Sequence, residues 1–210
     1  MKLSPNVSRL QPSATIAVST LAKRLRAEGR DIIDLSAGEP DFGTPEWISE
    51  GAIEGIRSGA TRYTPVSGIP ELRRAIAGYL QSVGGKPRDW EGVVVGAGAK
   101  QALFNAAFTL FGPGDEVLVG APYWTSYPQM VVLARAEPVP VAGVPDRNFL
   151  LSRADLDAAC TERTRGRILC SPSNPTGAVY TLEGLREIAE WAKEKDIVLI
   201  ADEIYREIYF

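Results

Sequence analysis

The sequence predicts an α/β fold, a mostly parallel sheet with helices on both faces. From Gly92 onward, five short apolar runs of strand length alternate with segments of helical period. The last run, Ile197-Val198-Leu199-Ile200-Ala201, is continuously apolar, as in a strand covered on both faces. Loops rich in Gly, Pro and aromatic residues follow several of these runs directly, where open α/β sheets bind their ligands.

In chain order, residues 1–13 are turn-rich and read as an extended arm. Ile16, Leu21 and Leu25 recur at helical spacing over 14–28, and Gly29 suits the position after the helix end. Residues 31–36 read as a short strand. Thr44-Pro45-Glu46 predicts a helix start with a hydroxyl cap, proline at the first position and an acid in the first turn, ending near Gly59. After a loop over 61–68, Pro70-Glu71 opens a helix with Leu72, Ile76 and Leu80 inward. The five strands follow at 93–95, 116–119, 137–141, 167–170 and 197–202. The prolines at 138 and 140 mark the third as a sheet edge. Helices are predicted at 99–111, after Tyr127, from a Ser152–Asp155 capping box to Cys160, and over 181–195.

Composition narrows the functional classes. An apolar fraction of 45% and a charged fraction of 23% in 210 residues suit an ordinary globular domain. A net charge of -3 supplies no basic field for a phosphate backbone, so nucleic acid is not the expected partner. The one basic cluster, at 161–167, reads as a solvated loop. No apolar run is long enough to cross a bilayer. Two cysteines, Cys160 and Cys170, imply no disulfide framework, and the expected compartment is a reducing cytoplasm. The chain has no histidine, which removes His-based triads and the common metal sites and shifts the weight to Lys, Asp, Tyr or a bound cofactor.

Three loops and one carboxylate carry chemistry. Gly96-Ala97-Gly98-Ala99-Lys100-Gln101 opens a helix after a strand; it can cradle an anion, or serve only as a tight turn. Tyr123-Trp124-Thr125-Ser126-Tyr127 offers a stacking plate, although Trp124 taken alone reads as packing. Asn174 sits between Pro172 and Pro175 in a turn that can aim its amide outward. Asp202 ends the last strand on a water-poor wall, where a carboxylate calls for a cationic partner. A ligand meeting all four is planar and aromatic, with a phosphate at one end and a protonatable ring nitrogen at the other. Pyridoxal phosphate is such a molecule, and its chemistry needs no histidine.

Ser36-Ala37-Gly38-Glu39-Pro40-Asp41-Phe42, Gly98-Ala99-Lys100-Gln101-Ala102-Leu103-Phe104-Asn105, Pro122-Tyr123-Trp124, Ser173-Asn174-Pro175-Thr176-Gly177 and Asp202-Glu203-Ile204-Tyr205 together resemble the class I, fold-type I aminotransferases. The resemblance runs in the family's order from about Pro12 to the end, and is similar to bacterial aspartate aminotransferases. It implies pyridoxal phosphate with its pyridinium nitrogen on Asp202, its phenolic oxygen on Tyr205 and Asn174, its ring against Trp124, and its phosphate on the backbone of Gly98, Ala99 and Lys100. It implies that Tyr63 reaches the phosphate of a neighbouring subunit's cofactor in a homodimer, and that Gly38 meets the substrate α-carboxylate. Trp124 and Asn174 also border the substrate. Ser13, Thr15 and Lys100 match residues that bind a distal carboxylate, which favours aspartate and glutamate, with prephenate-type acids also suited; Ser13 and Thr15 alternatively cap the first helix.

The resemblance further implies residues 1–45 as an arm and part of the small domain, and 46–210 as an incomplete cofactor-binding large domain. The family's Schiff-base lysine lies beyond Tyr205, and Lys2, Lys23, Lys86, Lys100, Lys193 and Lys195 match no position for it. Catalytic residues within this stretch are therefore expected to be none, and the stretch alone is expected to be an inactive fragment. The strand at 93–95 is expected to lack sheet neighbours, because the strands that separate it from the others in the family come later. Competing readings are another fold-type I enzyme using the same cofactor (a lyase or synthase), a truncated chain without catalysis, and a nucleotide-binding α/β domain.

Overall fold

The computed structural model describes residues 4–10, 14–36, 38, 42–84, 86 and 89–208, without the side chains of residues 14 and 15. Four strands, β1 (Glu116–Ala121), β2 (Glu137–Ala142), β3 (Thr164–Cys170) and β4 (Val198–Asp202), form one sheet in the order β2-β1-β3-β4, with every neighbouring pair parallel. The mostly parallel α/β sheet with helices on both faces is thus the fold the chain adopts.

Local sequence accounts for each strand's place. In β1, Val117, Leu118 and Val119 are fully buried, which demands an apolar run without alternation. In β2, Glu137 and Gly143 donate their amides towards β1, so the intervening Pro138 and Pro140 put their missing N–H groups on the open edge. The register between β1 and β3 shifts after Glu116, which pairs with Thr164 while Val117 pairs with Gly166. This bulge turns Arg165 out to solvent. Gly166 must be glycine for packing, since a Cβ there would lie 2.2 Å from the Phe111 ring.

Alternation along the strands builds two cores. Helices α4 (Ala99–Leu110) and α5 (Ser126–Leu133) cover one face, where Ala107, Phe111, Val117, Val119, Tyr127, Met130, Val131 and Ile168 pack together. Helices α6 (Arg153–Ala159) and α7 (Leu182–Glu194) cover the other with Leu118, Leu151, Leu156, Ile188, Trp191 and Ile197. The Ser152 hydroxyl accepts from the Asp155 amide, and Asp155 accepts from the Ser152 amide, as the capping box requires. Arg147 also pairs with Asp155 at 2.7 Å, and these bonds hold that carboxyl well below the usual range. Thr181 caps α7 through the Gly184 amide.

Chain contacts divide the molecule into two compact units, residues 1–14 with 97–210, and residues 15–96. The second contains α1 (Ala14–Ala27), α2 (Glu46–Arg57) and α3 (Pro70–Ser82). Its best-anchored side chain is Arg73, which donates to the carbonyls of Val93 at 2.8 Å and Glu91 at 2.7 Å and lies against the Trp90 ring.

Several expectations need correction. Residues 31–36 and 93–95 are not strands; 93–95 has no sheet neighbour among the described residues, as expected, nor has 31–36, and Val95 donates instead to the Ser67 carbonyl at 3.0 Å. Without a ladder their β-branched residues have nothing to fit, and Val94 is largely exposed. Helix α2 begins one residue later than expected: Pro45 takes the cap position and no side chain caps it. Helix α3 buries Arg73 and Ala77 rather than Leu72, because Arg73 is drawn to two carbonyls. Strand β4 lies at the sheet edge, as expected from the absence of later strands, but it is not covered on both faces, and Val198 is 39% exposed. The cluster at 161–167 is not a solvated loop. Arg163 pairs with the buried Glu116, and Arg167 is itself buried within β3. No helix among the described residues is long and apolar enough to cross a membrane.

Candidate active site

Strand β4 carries Asp202 to the carboxyl edge of the sheet, where it is 7% exposed. The Tyr127 hydroxyl donates to its Oδ2 at 2.7 Å, and the Ile204 amide donates to Oδ1 at 3.1 Å. Both donors are neutral. The expected cationic partner is not found among the described residues, so this buried carboxylate retains the capacity to meet one. Tyr127 owes its position to α5, whose start packs it under Trp124 in an edge-to-face contact at 5.3 Å. Burial, and then hydrogen bonding to Cys170 and Asp202, pushes the Tyr127 phenol far above its ordinary range, so it remains a donor at any physiological pH. Cys170 is the register partner of Asp202 on β3, and burial likewise raises its thiol.

The start of α4 faces the same edge. Ala99, Ala102, Leu103 and Ala106 line a cavity with Ala201, Asp202, Glu203 and Ile204. Gly98 precedes the helix with φ +83°, a left-handed conformation that suits glycine, and a Cβ there would meet open space. No side chain caps α4. Gln101 reaches back and accepts from the Ala97 amide at 2.5 Å, leaving the first-turn amides at 99–101 and the positive end of the helix available to an anion. The Lys100 ammonium lies over the Trp124 ring at 5.0 Å from its centre.

A fourth contributor comes from the loop after β3. The Asn174 amide donates to the Tyr205 hydroxyl at 3.2 Å. The Ser171–Pro172 and Asn174–Pro175 peptides are cis, as is Ala121–Pro122 after β1. The structure therefore gathers Gly98, Ala99, Lys100, Trp124, Asn174, Asp202 and Tyr205 within one unit. Tyr63 and Gly38 belong to the other unit, where Tyr63 is fully exposed. Ser13 lies outside the described residues, as does the side chain of Thr15. Of the run at 36–42, only Ser36, Gly38 and Phe42 are described. The sequence reading named Tyr127 in the stacking plate and Gln101 in the loop before α4, but missed the Tyr127–Asp202 bond, the Gln101 contact and the place of Cys170. Only the strand register, which pairs residue 170 with residue 202, places Cys170 beside Asp202.

A family model, "Aminotransferase class I and II", matches residues 30–210. The chain belongs to this family. Among curated relatives, this chain is 47% identical over 209 residues to a probable aspartate/prephenate aminotransferase of Rhizobium leguminosarum, covering 99% of this chain and 52% of that protein. It is 42% identical to the aspartate aminotransferase of Bacillus subtilis, covering 53% of it. Among solved structures, aspartate aminotransferase from Thermus thermophilus with maleate matches with a TM-score of 0.93 at 44% identity, over 97% of this chain and 53% of that one. Aspartate aminotransferase from Rhizobium meliloti matches with a TM-score of 0.95 at 37% identity, over 100% and 53%. The chain thus spans about half the length of the aminotransferases it resembles.

The Tyr127 contact can be tested directly. In the full-length protein, Tyr127→Phe keeps the ring but removes the donor on Asp202. A net loss of about 0.5–1.5 kcal/mol in unfolding free energy is expected. A phenylalanine variant as stable as wild type would show that the bond does not support Asp202.

Proposed function

We propose that the whole protein is an aminotransferase that moves an amino group between an L-amino acid and a 2-oxo acid with pyridoxal phosphate. The observation carrying this reading is the buried Asp202, whose donors among the described residues are neutral, beside a cavity walled by the small residues that open α4. That pairing of a carboxylate and an anion-receptive helix start suits a ligand with a protonated ring nitrogen at one end and a phosphate at the other. Bound there, the cofactor supplies an electron sink for the substrate α-carbon.

The chain's own residues then bind and orient. Asp202 holds the proton on the ring nitrogen. The amides at Gly98, Ala99 and Lys100 take the phosphate, Trp124 covers the ring, and Asn174 with Tyr205 donates to the phenolic oxygen. Tyr63 serves the phosphate of a second subunit, which makes the working unit a homodimer. Gly38 receives the α-carboxylate, and Ser13, Thr15 and Lys100 the distal one. On this reading residues 1–45 go with the small domain, 46–210 are part of the large domain, and the lysine that carries the cofactor lies downstream of Tyr205. The names of the aspartate and aspartate/prephenate relatives support aspartate and glutamate as substrates, with prephenate-type acids next. Two free cysteines suit a reducing cytoplasm.

The test uses the purified full-length protein. Aspartate and 2-oxoglutarate should yield oxaloacetate and glutamate in equal amounts, with a change in the cofactor's visible absorbance on adding either amino acid alone. Release of ammonia or carbon dioxide without amino transfer would instead identify a lyase or synthase on the same scaffold. No cofactor absorbance at all would overturn the reading.

A further inference from the structure

Arg167 presents a charge problem on the other face of the sheet. Its residue is 2% exposed, and its Nε and Nη1 have no hydrogen-bond partner. Only Nη2 is engaged, donating to the Tyr180 hydroxyl at 3.2 Å. That oxygen is already shared, for it accepts from the Leu151 amide at 2.8 Å and donates to the Leu151 carbonyl at 3.3 Å. The neighbours Ile168 and Leu169 are apolar, and Arg167 lines a cavity with Tyr123, Tyr127, Leu151, Asn174 and Tyr180. No acidic residue lines that cavity.

A guanidinium stays protonated in proteins, so it cannot escape burial by neutralising. Burial does lower its proton affinity, with Tyr180 the only neighbour offsetting that effect. An uncompensated buried charge is among the most expensive features a core can hold. Its two free donors, Nε and Nη1, meet no acceptor of the described protein.

We infer that Arg167 is the cation of a buried binding site for a compact, singly charged inorganic anion of the chloride class. One guanidinium offers a single positive charge, which a small monovalent ion seated on one of its free donors neutralises and a tetrahedral dianion would exceed. Arg167 faces the core opposite to the one that holds Tyr127, although Tyr127 and Asn174 also line its cavity. Tyr180 packs with the Leu118 and Trp191 core, whereas Tyr127, the partner of Asp202, belongs to the opposite one. It does not rest on the proposed transaminase activity.

The experiment takes full-length wild type and Arg167→Met, which keeps a linear apolar stem and removes the charge. Both are melted across a chloride or bromide titration at constant ionic strength, with gluconate as the balancing anion. Wild type should gain roughly 1–2 °C in a saturating manner once the halide exceeds its dissociation constant several-fold. The variant should show no saturating gain, and should melt at or above halide-free wild type, since an unpaired charge has been removed. Crystals of wild type grown in bromide should show an anomalous peak within hydrogen-bonding distance of Nε or Nη1, a readout that holds even if the variant does not fold. No such peak together with no saturating halide effect overturns the site. So does a carboxylate from the remainder of the protein seated on the guanidinium.

Discussion

On the transaminase reading proposed above, Asp202→Ala in the full-length protein is expected to lower the turnover of amino transfer by roughly 10²–10⁴-fold, while phosphate-anchored cofactor remains partly bound. The argument starts from burial. Asp202 is nearly excluded from water, and its only donors among the described residues are a phenol and a backbone amide. A carboxylate so placed favours a proton on a ring nitrogen far more strongly than an exposed one would, because little solvent screens it. Alanine removes that preference but leaves the start of α4 untouched, so phosphate contacts and turnover should separate. The substitution also orphans the Tyr127 hydroxyl, at a cost of about 1–3 kcal/mol. Kinetics are therefore read alongside an unfolding curve and the cofactor's visible absorbance. Wild-type turnover from a folded, cofactor-loaded Asp202→Ala would remove Asp202 from the mechanism.

Much of this arrangement was legible in the sequence, for identifiable reasons. The doubly buried strand β1 and the proline-bearing edge β2 announce themselves because local composition and position in the sheet coincide. The position of Trp124, Asn174, Asp202 and Tyr205 at one edge was legible because each ends or follows a strand, and the carboxyl ends of parallel strands share one edge, whereas Gly98, Ala99 and Lys100 open α4 with no strand before them. Strands at 31–36 and 93–95 were misread because valine- and isoleucine-rich runs report a preference that only a neighbouring strand can realise. Arg167 was misread because arginine next to Arg163 and Arg165 looks solvated in one dimension. A single-residue bulge then turns Arg165 outward, and residue 167 is left inside. Tyr127 was hidden for a different reason. Its bond to Asp202 joins residues 75 positions apart, and no local pattern encodes it.

Trp191→Ala is expected to destabilise the full-length protein by about 3–5 kcal/mol, a large share of the 5–15 kcal/mol that holds a typical domain. Trp191 is fully buried and is the largest such side chain on α7, packed with Leu118, Leu156, Ile188 and Ile197. Its indole N–H donates to the Asp157 carboxylate at 3.0 Å, tying α7 to α6. Trp191→Phe separates the two contributions, since the ring bulk largely survives and only the donor is lost, for about 0.5–1.5 kcal/mol. The pair also has a pH signature. The Trp191 bond is the main cause that holds the Asp157 carboxyl below its ordinary value, with Lys195 assisting. A carboxyl depressed in the folded state contributes stability above its unfolded pKa, and that contribution is lost as pH falls through the folded value. Below about pH 4, wild type should therefore lose stability more steeply than Trp191→Phe, and the two denaturation midpoints should converge. Parallel midpoints across that range would mean the indole bond does not set the Asp157 carboxyl. A Trp191→Ala midpoint within error of wild type would mean that the core beneath α7 is not what fastens this helix to the sheet.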